Sequence, residues 1–474
     1  MSPSRSFHLD LSPLRRSRDL RLLFFGGGVS FAGSMLTFVA VPYQAYQLTH
    51  SSLVVGLLSL AELAPLLMMA FVGGALADVV DRRAMLRVTE GVMCLGSAAL
   101  VANALLGRPQ LWVLFVVVVV VTGVDGLQRP SLDALVPRLV PPAELPATSA
   151  VMSLRSQFGM IAAPAASGAI IAAGGLATAY AIDVASFVVG LAAYLALGTA
   201  PPPTEEADVS LRAVREGLRY AWQRKDLLGS YFVDINAMFF GMPNALFPQL
   251  ASRLGGASAL GVLYAAPAVG SLLVTSTSGW TSRVRRHGRM IAVGATLWGF
   301  GIVALAWCGA LWQAAVALAV AGGGDMVSGL GRSTMWNQSI PDALRGRLAG
   351  IEMLSYSSGP TLGNLEAGVV ETFAGLRASI ASGGIACVVG TALVSAALPR
   401  FWNYDAREGM KRRLGSGPGG EAVGGGAGVV GGGESSGAGP DGEVAGTSGA
   451  RAGPDDTGGS GTHAILDEST GAGQ

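Results

Sequence analysis

Five acids and two arginines stand where an otherwise apolar chain would not be expected to carry charge: Glu62, Asp125, Arg129, Asp325, Arg332, Glu352 and Glu366. An ionisable group at the centre of a membrane helix costs at least about 2.5 to 3.5 kcal/mol on insertion scales, so each needs a partner or a task. Glu62, in "LSLAELAPLL", either takes up and releases a proton or hydrogen-bonds to a neighbouring helix. Asp125 and Arg129 are four residues apart on one helix face, as a static pair or as one that changes partner. Asp325 and Arg332, seven apart, share a face in the same way. Glu366 lies deep in "GPTLGNLEAG", where a pathway role and a structural one are equally open. Asp183 and Asp234 read as helix-end anchors or cavity residues, the anchor being favoured for Asp183, and Glu90 reads as part of a surface charge cluster.

A second concentration of charge is "GGALADVVDRRAML", residues 73–86, tied between two apolar runs. Gly73 and Gly74 permit close helix approach, and Asp78 falls where the apolar run ends. A carboxylate there can face a helix N-terminus, worth about 0.3 to 1 kcal/mol when exposed and about 2 when partly buried. It can also pair with an arginine, for which Arg129 is the candidate. Gly74, Asp78, Arg82, Arg83 and Arg129 together then form a conformational latch.

The elements that must carry these groups are membrane helices. The chain has 474 residues, 51% hydrophobic and only 13% charged, with a mean hydropathy of +0.49. A soluble domain is nearer about 25% charged. Twelve apolar runs are expected as spans, at 20–46, 53–77, 85–106, 111–132, 145–173, 176–197, 228–250, 259–280, 290–309, 311–336, 348–373 and 376–398. Each is long enough to cross a hydrocarbon layer of about 30 Å as a helix. Strands are not expected, because the runs are twice the length of a barrel strand.

Arginines mark every alternate loop: 15–21, 82–87, 138, 212–225, 283–289, 345–347 and 400–413. Basic short loops stay in the cytoplasm, so both termini are expected there. From Leu414 onward eight acids face one base, a tail of −7; the whole chain is +1, so the body is +1 − (−7) = +8. That excess sits in short loops between apolar runs, which fits a lipid surface rather than nucleic acid. The expected organisation is a cytoplasmic segment 1–19, a six-helix bundle 20–199, a cytoplasmic linker with an amphipathic helix 200–227, a second six-helix bundle 228–399, and a disordered Gly/Ser-rich tail 400–474. An offset of 205 superposes residues 72–86 on 277–291, matching Gly74 with Gly279 and Met85 with Met290; "PAEL" from Pro142 likewise matches "PDAL" from Pro341. These matches support internal duplication, and duplicated membrane halves commonly enclose a site at the midplane.

Ser34 and Thr37 in the first run can line such a cavity, with Phe38 and Tyr264 among the aromatics that can wall it. Close packing and lipid contact are the competing readings. The three cysteines and four histidines show no metal-ligand spacing, and no Gly-x-x-x-x-Gly-Lys phosphate loop occurs. No metal, cofactor or enzymatic activity is expected.

The stretch "GGALADVVDRRAML" resembles the signature between the second and third spans of the major facilitator superfamily, a Gly-x-Leu-x-Asp-x-x-x-Arg-Arg pattern matched by Gly74, Leu76, Asp78, Arg82 and Arg83. The family usually has glycine where Asp81 stands. "VAVPYQAYQLTHSSLVVGLLSLAE", "DGLQRPSLDALVPRLVPPAEL", "AYAIDVASFVVG" and "PDALRGRLAG" are similar to the branch holding siderophore (enterobactin) exporters and macrolide-type efflux pumps. The resemblance implies an all-α integral membrane protein of twelve helices in two six-helix bundles. It also implies secondary active export of an amphiphilic small molecule in exchange for protons, by a monomer in the cell membrane. Multidrug or macrolide efflux is the alternative, and a receptor or scaffold that kept the fold is the reading from another class.

Overall fold

The computed structural model describes residues 11–79, 81–198, 222, 224–340 and 345–405; the side chains of 70–79, 130, 133, 134, 282 and 345–357 lie outside that description. Among the described residues every regular element is helical. In chain order these are α1 (Ser12–Arg16), α2 (Arg18–Thr49), α3 (Ser52–Val79), α4 (Arg82–Leu105), α5 (Leu111–Leu135), α6 (Leu145–Leu195), α7 (Lys225–Phe240), α8 (Phe247–Leu254), α9 (Ala257–Ser276), α10 (His287–Leu305), α11 (Leu311–Ser339), α12 (Arg345–Ala374), α13 (Leu376–Ala397) and α14 (Pro399–Trp402), with short 3-10 turns between some of them. Nine stretches among the described residues are long and apolar enough to cross a membrane. The fold is all-α and membrane-integral. The expected linker helix and tail fall almost wholly outside the described residues.

Several boundaries differ from expectation, each for a local reason. Runs five and six form one continuous element, α6, broken only at Gly175 (φ 78°, ψ 178°), a conformation that glycine reaches without a Cβ penalty. The chain reverses there. Arg155 donates to Leu23 O and Ser167 to Leu36 O, while past the break Asp183 meets Thr37 and Ala193 abuts Gly26, so both arms run along α2. Run seven is shorter than expected: α7 stops at Phe240, because Pro243 disfavours helical backbone at Met242. A separate amphipathic helix, α8, follows. The third span starts at Arg82 rather than Met85, since the Asp81 carboxylate accepts the Arg83 N–H at 3.1 Å and caps α4. Pro42, Pro65, Pro164, Pro267 and Pro360 lie inside helices. Membrane helices tolerate this because neighbouring helices re-satisfy the freed carbonyls.

Large apolar side chains face outward along the helices, including Phe25, Leu95, Phe158, Phe300 and Leu393. Trp112, Trp307 and Trp312 stand at the ends remote from the arginine-rich loops, and Trp222 and Trp280 at the basic end. Aromatics gather at membrane–water boundaries in this way.

Helices before residue 199 meet those after 224 along two close seams. Gly56 of α3 packs on the Asn364 carbonyl of α12, and Gly168 of α6 on Gly261 of α9; an added Cβ would come within 2.6 Å of backbone at either glycine. Both contacts lie toward the end opposite the arginine loops. Gly168→Val is therefore expected to push α6 off α9, at a cost of about 1–3 kcal/mol from overpacking. Spin labels at the exposed residues Ala173 and Ser258 should report a longer distance in the variant; an unchanged distance would show that the seam yields elsewhere.

Candidate functional site

Between the two helix sets an aromatic wall forms from three elements. The Phe38 ring of α2 stands edge-on to Tyr264 of α9 at 5.6 Å, and Tyr264 edge-on to Phe247 of α8 at 5.1 Å. The Tyr264 hydroxyl donates to Asn244 O at 3.4 Å. Glu62 of α3 lies within electrostatic range of Tyr264. Partly buried, it makes no hydrogen bond or ion pair with any other described residue. The structure thus brings Phe38, Tyr264 and Glu62, scattered over two hundred positions, to one place.

The other first-run candidates turn elsewhere. The Ser34 hydroxyl donates to Ser30 O, back on its own helix, at 3.1 Å. The Thr37 hydroxyl donates to Asp183 at 2.5 Å. Asp183, favoured as a helix-end anchor, is in fact 1% exposed and also accepts from Ser97 at 2.6 Å. Glu90 is likewise corrected: it is 0% exposed, inside the helix set, and accepts from Gln128 at 2.7 Å. Because α4 begins at Arg82, Glu90 sits eight residues, or about 12 Å of helix rise, below the surface cluster.

Toward the basic end, two arginines within the spans form ion pairs. Arg129 meets Asp125 at 3.0 Å within α5, its own side chain 58% exposed. Arg332 of α11 meets Asp234 of α7 at 2.5 Å and Asp325 of its own helix at 3.8 Å, so one guanidinium serves two acids. Asp325 and Arg332 pair as their spacing suggested, but the shorter contact is to Asp234, which spacing within one helix could not reveal. Nearby, Trp336 packs on Tyr231 at 4.8 Å and donates to Ser230 at 3.4 Å. Of the latch residues, Gly74 and Asp78 belong to α3, but their side chains lie outside the described residues; Arg82 and Arg83 open α4, where Arg83 is buried. Arg129 is described, and its observed partner is Asp125.

A polar clasp that no charge pattern signalled joins the helix sets at the opposite end. Asn364 of α12 donates to Ser59 of α3 at 3.2 Å and accepts from Ala245 N at 3.0 Å. Ser52 donates to Gln249 at 3.2 Å, and Gln249 donates to Glu371 at 2.8 Å. The one cue was the neutral polar residue within "GNLEAG". Glu366, two residues from Asn364, is partly buried and makes no hydrogen bond or ion pair with a described residue. No group of His, Cys, Asp and Glu among the described residues could hold a metal.

Known proteins share this layout. The chain is 29% identical over 367 residues to the enterobactin exporter EntS of Shigella boydii serotype 4, covering 76% of this chain and 86% of that one. The same figures hold for the enterobactin exporter EntS of Escherichia coli O139:H28. In solved structures the fold is similar to a POT family transporter in complex with 5-aminolevulinic acid (TM-score 0.64, 13% identity, 81% of this chain and 97% of that chain). It is also similar to a bacterial homologue of the human lysosomal transporter Spinster in an inward-facing, unoccupied conformation (TM-score 0.62, 14% identity, 83% and 97% covered). The family model described as transmembrane secretion effector matches residues 9–413. With its helical membrane architecture and these matches, the chain belongs to the transmembrane secretion effector family of major facilitator transporters.

Proposed function

We propose that this transporter exports an amphiphilic, siderophore-like small molecule by alternating access, in exchange for protons. The observation that carries the reading is Glu62, an acid without an ion pair among the described residues, beside the Phe38–Tyr264–Phe247 wall where two helix sets meet. A carboxyl so placed can hold a proton while the site is empty and release it when substrate binds, and the rings offer an apolar surface to a bulky ligand. The relatives' activity, enterobactin export, supports the substrate class and the outward direction.

In this reading the bundles are 20–199 and 228–399, and both termini and the arginine loops face the cytoplasm. The protein acts as a monomer in the cell membrane. The glycine seams and the Asn364 and Gln249 clasps close the outer side, and export requires them to part. Asp125, Arg129, Asp325, Arg332 and Glu366 line or gate the route, and Ser34 and Thr37 flank it. The deciding experiment is flux of iron-free enterobactin, as the siderophore probe, in proteoliposomes under an imposed proton gradient. Flux that collapses with the gradient supports the proposal. Transport of a macrolide but not the siderophore would favour drug efflux, and binding without flux would favour a receptor.

The latch makes its own prediction. With Asp78 clasping the inner rim, Asp78→Asn is expected to slow transport about tenfold, equivalent to roughly 1.4 kcal/mol on the barrier, while substrate binding stays near wild type. Equal loss of both, measured by equilibrium binding and flux on one preparation, would remove Asp78 from that role.

A further inference from the structure

We infer that Glu90 and Asp183, with the small polar side chains around them, form a proton-binding site inside the first helix set, separate from the wall that holds Glu62. This goes beyond the export reading, because it concerns two acids to which that reading gives no task.

Glycines make the room. A Cβ at Gly190 would collide with Glu90 Oε1, and one at Gly33 would meet Asp183 Oδ1 at 2.7 Å and collide with the Ser186 hydroxyl. Two helices, α2 and the second arm of α6, thus each give up a side chain where a carboxyl sits. The shell is composed of neutral donors. Thr37 donates to Asp183 at 2.5 Å, Ser97 at 2.6 Å and Ser186 at 3.4 Å, and Gln128 donates to Glu90 Oε2 at 2.7 Å. Glu90 Oε1 is buried beside the Ser30 side chain, without a hydrogen bond of full geometry. It points at the gap beside Gly190 and Ser30.

Two features make this a proton site rather than a pair of anchored anions. The carboxyls are 0% and 1% exposed and lie within electrostatic range of each other. Among the described residues neither forms an ion pair. Of the charged and titratable groups on the surrounding helices, none forms an ion pair with either acid among the described residues. Arg83 is buried seven residues before Glu90 on α4, and the Tyr194 phenol of α6 lies within electrostatic range of Glu90. On α2, Asp19 accepts from Gly198 N and Arg21 donates to Leu14 O and Arg15 O. On α4, Arg87 donates to Tyr194 O and Cys94 to Val184 O. On α5, Asp125 and Arg129 hold each other. On α6, Arg155 donates to Leu23 O and Tyr180 to Gln44. Two like charges buried together without a cation are not sustained, and such a pair binds a proton instead. The proton comes from water and forms an O–H bond on one carboxyl, leaving the cluster with a single negative charge. Glu90 Oε1, the less well satisfied oxygen, is where that bond forms.

The test is infrared difference spectroscopy on the full-length protein in lipid at neutral pH, following the carbonyl band of protonated carboxyls and its shift in heavy water. Glu90→Gln should remove a band that Glu62→Gln leaves in place, while Asp183→Asn should shift or weaken it. Amides keep the shape of a protonated acid, so folding is expected to survive. Should either amide variant misfold, Gln128→Leu and Ser97→Ala keep both acids and should move the band's frequency by removing one donor each. A carbonyl band indifferent to Glu90→Gln, or to both donor variants, does not arise from this cluster, and the inference fails. No substrate or transport step enters the measurement, so this outcome is independent of whether the export reading stands.

Discussion

Arg332→Leu is expected to destabilise the folded protein by about 3–5 kcal/mol, the range found when one member of a buried ion pair is removed. The guanidinium is 19% exposed and contacts Asp234, 9% exposed, at 2.5 Å and Asp325, 34% exposed, at 3.8 Å. Removing it leaves two acids near one another without their shared cation. Asp325, with more water access, recovers part of the loss by rehydration, so most of the cost falls on Asp234. Arg332→Lys keeps the charge but cannot reach both acids with a planar fork, and should fall between wild type and leucine. Asp234→Asn should cost less than Arg332→Leu, because the arginine still has Asp325. Thermal unfolding in detergent, with and without Asp234→Asn in the Arg332→Leu background, checks the order: the double variant should be more stable than Arg332→Leu alone. A melting temperature for Arg332→Leu equal to wild type would show that the pair contributes nothing to holding α7 against α11.

Glu62→Gln is expected to abolish the component of flux that depends on the proton gradient, while transport down a substrate gradient persists. The amide keeps the size and polarity of the carboxyl but cannot carry a proton at accessible pH. Glu62 has no ion pair or hydrogen bond to another described residue for the amide to break, so folding and substrate affinity should change little. Glu62→Asp should restore coupling in part, because the acid is present but one methylene further from the Tyr264 wall. Flux measured across a series of imposed pH differences decides it. An unchanged pH dependence in Glu62→Gln would transfer the coupling role elsewhere, first to Asp325 or Glu366, and would leave the Glu90 and Asp183 experiment untouched.

The order of apolar runs and the spacing of arginines by themselves determined that the chain is helical and membrane-integral, and they located most of its helices to within a few residues. The reason is that span length is a one-dimensional quantity: residues times rise per residue, set against hydrocarbon thickness. Pairs within one helix, such as Asp125 with Arg129 and Asp325 with Arg332, follow from the same arithmetic and were legible. Tertiary structure alone decided what lies across from each residue. Glu90 read as surface charge because it follows Arg82 and Arg83, yet the Asp81 cap starts α4 early and carries it two turns inward against Gly190. Asp183 read as an anchor until Thr37 and Ser97 arrived from two other helices to satisfy it. Likewise Asp234 meets Arg332 only because α7 packs on α11, and Phe38 meets Tyr264 only because the two helix sets close on each other. Each of these contacts joins residues 86 to 226 positions apart, as the numbering shows for Ser97 with Asp183 and Phe38 with Tyr264. Helical periodicity fixes which side chains share a face, but the rotation of that face toward a distant partner is set by packing among helices, which no single segment encodes.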